Sequence, residues 1–141
     1  MKCAERAKEL YLSGFCCSES VLHALWDCGL AEFPEEFLRI STGFLAGIGH
    51  QRCLCGALAA ANMAVSLKYG RVRLEENKDL ANEKCAALFQ RFTEQYGAAC
   101  CREVSSTLKT GVEFTDPMRR NYCAEVVASA AQLAEELITN R

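Results

Sequence analysis

Any chemistry in this chain rests on cysteine. Ten of its 141 residues are cysteines, at positions 3, 16, 17, 28, 53, 55, 85, 100, 101 and 123. The thiolate, not the thiol, attacks disulfides and binds soft metals. No pair has the Cys-x-x-Cys spacing of thioredoxins or common zinc sites, and the absence of Cys-x-x-Cys-His argues against attached haem. Placement carries more than spacing does. Cys17, Cys55 and Cys101 each begin an expected helix, and Cys123 lies in the first turns of the last one, where unpaired N–H groups favour negative charge. Cys55 is therefore expected to be the most reactive thiol, after a glycine loop and close to His50 and Arg52. Cys28 and Cys85 sit on apolar helix faces and read as core, and Cys3 as incidental. Cys16 and Cys100 adjoin two of the helix-start cysteines and Cys53 precedes Cys55 by two, which makes them candidates for extra ligands or alternative resolving thiols.

Other side chains offer less. His50 is a candidate ligand or proton acceptor, while His23 lies on the polar side of its helix. The loop Gly43-Phe44-Leu45-Ala46-Gly47-Ile48-Gly49 has neither the dinucleotide fingerprint nor a P-loop lysine, so it reads as a structural turn. The acid pairs Glu35-Glu36, Glu75-Glu76 and Glu135-Glu136 are adjacent residues that point apart on a helix. With 16 Lys and Arg against 18 Asp and Glu, the net charge of −2 provides no field for nucleic acid or acidic lipid.

The elements that must position these cysteines are helical. Apolar residues recur at spacings of three and four, and 141 residues suit one domain, residues 1–141, forming an all-α compact bundle of about five to seven helices. Expected helices span about Cys3 to Leu12, stopped at Gly14, and Cys17 to Cys28, which turns Cys17 inward. A short third helix opens at Pro34-Glu35-Glu36. An alanine-rich central helix runs from Cys55 to Tyr69, and another from Leu74 to Tyr96 with Ala81, Cys85, Leu88, Phe89, Phe92 and Tyr96 on one face. A short helix follows Cys101. The last opens at Asp116-Pro117 and buries Tyr122, Cys123, Val126, Ala130, Leu133 and Leu137.

The segments Phe15-Cys16-Cys17-Ser18-Glu19-Ser20-Val21-Leu22, Cys55-Gly56-Ala57, Leu67-Lys68-Tyr69-Gly70, Cys101-Arg102-Glu103 and Cys123 resemble the C_GCAxxG_C_C family of redox-active proteins. The resemblance spans nearly the whole chain and implies a shared set of four cysteines, carried here by Cys17, Cys55, Cys101 and Cys123. Ala60 stands where the motif has its second glycine, which implies a slightly wider helix approach. Two chemistries are open for four convergent thiolates. They ligate an iron–sulfur cluster or another metal, with Cys53 and His50 as further candidates, or two of them cycle between dithiol and disulfide with Cys55 attacking. A helical interaction module with inert thiols is the third alternative. The expected partners are a redox protein or a small thiol or electron carrier, with a homo-oligomer also open. Lacking a secretory signal and any run of roughly 18 apolar residues, the chain is expected to be cytoplasmic, with no membrane insertion.

Overall fold

The computed structural model describes residues 2–105 and 117–140. Among them the elements in order are α1 (Lys2–Ser13), α2 (Cys17–Asp27), a 3₁₀ segment (Glu35–Phe44), α3 (Gly56–Tyr69), α4 (Asp79–Tyr96), α5 (Cys101–Val104) and α6 (Pro117–Thr139), an all-α bundle as the apolar periodicity predicts. The expected cap Asp116 lies outside the described residues.

The bundle is organised by small residues. Ala57, Ala60, Ala61 and Ala64 of α3 and Ala124, Ala130, Ala131 and Ala134 of α6 are all essentially without solvent contact. Such short side chains let helix axes approach closely. Around them pack Val21, Leu22 and Leu25 of α2, Val65 of α3, Leu88 and Phe92 of α4 and Val127 of α6. The central helix α3 touches α2, α4, α6 and the 3₁₀ segment, while α1 lies against α2 and α6. Tyr69 at the end of α3 donates its hydroxyl to the carbonyls of Leu137 and Ile138, at 3.1 and 3.0 Å, tying two helix ends together.

Three expectations need correction. First, α4 begins at Asp79, not Leu74. The preceding turn is held by its own polar groups: the Glu76 carboxylate accepts the N–H groups of Val72 and Arg73, and Arg71 donates to the carbonyls of Leu74 and Glu76. Second, only Leu88 and Phe92 of the proposed α4 face are buried, and Phe89 is half exposed, because α4 packs at the bundle's edge. Third, Cys3 is not incidental and Cys28 is not simply core. Cys3 is buried and bonded to Cys28 as a disulfide, with Cα atoms 6.1 Å apart, where α1 and α2 lie side by side. The short third helix exists, but as 3₁₀ turns with only Ser41 buried, and Pro34 caps it from outside.

Candidate functional site

The chain reaches the site through a short left-handed turn. From Ala46 to Arg52 the backbone φ is positive at Ala46, Gly47, Ile48, Gly49, His50 and Arg52. Each non-glycine residue there costs roughly 1–2 kcal/mol, and a β-branched one such as Ile48 is a true outlier. Compensation comes from a ladder of backbone bonds, including Gly49 N–H to Gly43 O at 2.9 Å and Arg52 N–H to Ala46 O at 2.9 Å. Gly47 is required, because a Cβ there would overlap the backbone of Arg52 and Cys53. The segment that the sequence marks as a structural turn is one, closed by its own backbone bonds.

Past the turn, the chain pairs with the start of α5. Leu54 and Cys100 form an antiparallel bridge, Cys55 N–H donates to Ala99 O at 2.8 Å, and Cys101 N–H donates to Cys53 O. This pairing sets Cys55 and Cys101 side by side. At the other wall, Cys16 caps α2: Glu19 accepts the Cys16 N–H at 3.0 Å and the Thr42 hydroxyl at 2.9 Å. Ser18 donates to Ser41 O at 2.6 Å, fixing α2 on the 3₁₀ segment. Cys17 follows, turned inward as expected.

Cys17, Cys55, Cys101 and Cys123 line one cavity of about 270 Å³, together with Cys16 and apolar walls that include Leu45, Val104, Val126 and Val127. Gly56 makes the close approach: a Cβ there would stand 2.6 Å from the Cys17 sulfur and 2.6 Å from Phe44 O. The motif's Cys-Gly step is thus a steric requirement of the site. His50 stands exposed at the rim, and Cys53 faces solvent beside Cys100.

Electrostatics reorder the thiols. Cys55 is only 7% exposed, and burial pushes its thiol up to about 12, although the N–H groups of Leu58 and Ala57 favour the thiolate. Burial works against the attacking role expected of Cys55, because desolvation outweighs the helix start. Burial also raises Cys17, against the opposing N–H groups of Ala46 and Ser18, and raises Cys16 to about 11. Cys123 is raised by burial too, but the guanidinium groups of Arg119 and Arg52 and a hydrogen bond from Tyr11 pull it back. Cys123 is the seventh residue of α6, beyond the helix's unpaired N–H groups, and α5 has only four residues. For Cys123 the charge support expected from a helix start therefore comes from arginines.

Tyr11 and Arg119, to which the sequence assigns no chemistry, also belong to the site. Tyr11 is partly buried against the cavity and hydrogen-bonds to Cys123, and burial raises its phenol. Arg119 is 3% exposed and donates to Ser105 Oγ at 3.0 Å, on which Arg52 also converges at 3.5 Å. Arg119 stands beside Arg120 and Asn121 in an ordinary polar helix start, so the sequence carried no signal for its burial. Among the described residues no three His, Cys, Asp or Glu side chains come close enough together to hold one metal ion. The four thiols are neighbours around a cavity, not an assembled ligand set for a single ion.

Among the described residues, no helix is long and apolar enough to cross a membrane. An uncharacterized protein of Archaeoglobus fulgidus is 26% identical over 146 aligned positions, covering 94% of this chain and 93% of the relative. No solved structure matches. The family profile described as "Putative redox-active protein (C_GCAxxG_C_C)" matches residues 15–137.

Proposed function

The chain belongs to the C_GCAxxG_C_C family, and from that premise we propose that it is a dithiol redox protein in which Cys123 attacks a partner's disulfide and Cys101 resolves it. The observation that carries this reading is the set of four free thiols around one apolar cavity, of which Cys123 lies beside Tyr11 and within the electrostatic reach of the Arg119 and Arg52 guanidinium groups.

Arg119 and Arg52 oppose the cost of forming a buried thiolate at Cys123, and the Tyr11 hydroxyl donates to its sulfur. The Cys123 thiolate attacks R–S–S–R′ and expels R–S⁻. Cys101, close enough to influence the charge on Cys123, then attacks the Cys123 sulfur of the mixed disulfide and expels R′–S⁻. Two electrons pass to the partner, two protons complete its thiols, and the protein keeps a Cys101–Cys123 disulfide. Cys17 and Cys55, both raised by deeper burial, shape the cavity and hold their protons through the cycle. The apolar walls suit a small organic disulfide or a cysteine side chain presented by a redox partner protein.

Anaerobic purification followed by metal and acid-labile sulfide analysis, then titration against dithiothreitol mixtures with disulfide mapping, tests the reading. The expected result is a reversible two-electron couple joining Cys101 to Cys123 in metal-free protein. Stoichiometric iron with sulfide, or zinc, replaces it with the metal-binding reading. Thiols that stay reduced at every potential support an interaction module with inert cysteines.

A further inference from the structure

Cys53 and Cys100 lie outside the shared set of four and outside the cavity lining. Cys53 is exposed and Cys100 half-exposed. They are carried by the two segments whose backbone pairing builds one wall of the cavity. Leu54 and Cys100 are directly opposed, with Cys55 N–H to Ala99 O on one side and Cys101 N–H to Cys53 O on the other. That pattern marks Leu54 and Cys100 as a non-hydrogen-bonded antiparallel pair, whose Cα atoms approach to about 4.5 Å. Cys53 is the next residue along. It stands diagonally across the ladder from Cys100, close enough for its sulfur to act on the charge of the Cys100 thiol. A disulfide needs Cα atoms no more than about 7 Å apart, so little backbone movement separates the two thiols from a bond.

We propose that Cys53 and Cys100 are a second, solvent-facing dithiol that a low-molecular-weight disulfide oxidises, and that the bond formed clips together the segments holding Cys55 and Cys101. The exposed Cys53 thiolate attacks R–S–S–R, the disulfide breaks, and R–S⁻ leaves. Cys100 gives up its proton and attacks the Cys53 sulfur of the mixed disulfide, releasing the second R–S⁻. The protein loses two electrons and two protons, and the small disulfide becomes two thiols. Partial burial and the neighbouring Cys53 sulfur raise the Cys100 thiol, so the more exposed Cys53 attacks first and Cys100 follows.

The consequence is mechanical. Only a few backbone bonds hold this pairing, including Arg102 N–H to Arg52 O at 3.1 Å, and so short a ladder opens locally at low cost. A covalent link across it holds the wall of the cavity shut. The device is separate from the exchange proposed for Cys123, because it needs no thiol inside the cavity.

The test incubates the full reduced chain with glutathione disulfide, followed by acid quench, alkylation and peptide mapping. Wild type is expected to form Cys53–Cys100 before any other new disulfide. Cys100→Ser is expected to stall as a stable glutathione adduct on Cys53, and a Cys101→Ser/Cys123→Ser double variant to form the outer bond as wild type does. That last arm separates failure of this proposal from failure of the cavity chemistry. Should the double variant lose its fold, Cys123→Ser alone serves the same purpose. A lasting adduct on Cys53 in wild type, or first bond formation between other cysteines, overturns the proposal. Hydrogen exchange at the Cys55 and Cys101 amides is expected to slow several-fold on oxidation, and unchanged exchange overturns the clip.

Discussion

The two ends of α2 carry cysteines under opposite constraints. At its C-terminal end, Cys28 meets Cys3 of the neighbouring α1 and the two are bonded, joining positions 25 residues apart in sequence. At its N-terminal end, Cys17 faces Cys101 and Cys123 across a cavity and all three remain thiols. The difference is in what surrounds the sulfur. Two helices packed side by side bring Cys3 and Cys28 together with nothing between them. Around Cys17 the left-handed turn, the absent side chain at Gly56 and the apolar walls keep open space between neighbouring thiols. One end uses cysteine to restrict the chain, whereas the other keeps its sulfurs as free thiols around open space.

Breaking the restricted end has the largest expected effect on stability. Cys28→Ala removes a link whose loop-closure contribution is about 3 kcal/mol, while Cys101→Ser, at a half-buried thiol, costs less than about 1 kcal/mol. Urea unfolding of both variants under non-reducing conditions measures the contrast. Equal losses for the two would show that the ends of α2 do not differ in this way.

Gly56→Ala sharpens the comparison from the other side. The new methyl meets the Cys17 sulfur, which can swing away, and the Phe44 carbonyl, which belongs to the backbone and cannot move alone. A loss of about 1–3 kcal/mol follows from such overpacking. Displacement of Cys17 should also change its alkylation rate while the Cys3–Cys28 bond stays intact. Wild-type stability with unchanged Cys17 labelling would mean that the Cys-Gly step is not sterically required.

How much of this was readable beforehand depends on the kind of contact. The helices follow from apolar spacing: α1, α2 and α3 begin and end within about two residues of the positions that pattern gives, and α6 opens at Pro117 as expected. Convergence of the four motif cysteines on one cavity was carried by the family resemblance and not by spacing. The left-handed turn was hidden, because Ala46, Ile48, His50 and Arg52 are residues whose local preference opposes it and only the closed backbone ladder holds them there. The burial of Cys55 was hidden for a related reason. Its helix start is visible in sequence, but its burial is created by the pairing of residues 52–55 with 99–102, a long-range event. The Cys3–Cys28 bond likewise needs α1 and α2 already packed.

The effect that vanishes at neutral pH is also the one most specific to the cavity. Burial first, and then the nearby Cys17 and Cys101, hold the Cys55 thiol up to about 12, against the N–H groups of Leu58 and Ala57, whereas a thiol in the unfolded chain ionises near 8.5. Below that value both states keep the proton and pH has no leverage. Above it the unfolded chain releases the proton while the folded protein holds it, so unfolding becomes easier by up to about 1.4 kcal/mol per pH unit for each such thiol. Cys16, Cys17 and Cys123, all raised, act with the same sign. Wild-type stability should therefore be flat from pH 7 to 8 and fall between pH 9 and 10, and Cys55→Ala should fall less steeply over that interval. Timed alkylation at pH 8 should label the exposed Cys53 well before Cys55. Equal slopes for wild type and Cys55→Ala, or early labelling of Cys55, would place its sulfur in contact with water and return it to the attacking role that its helix start alone suggests.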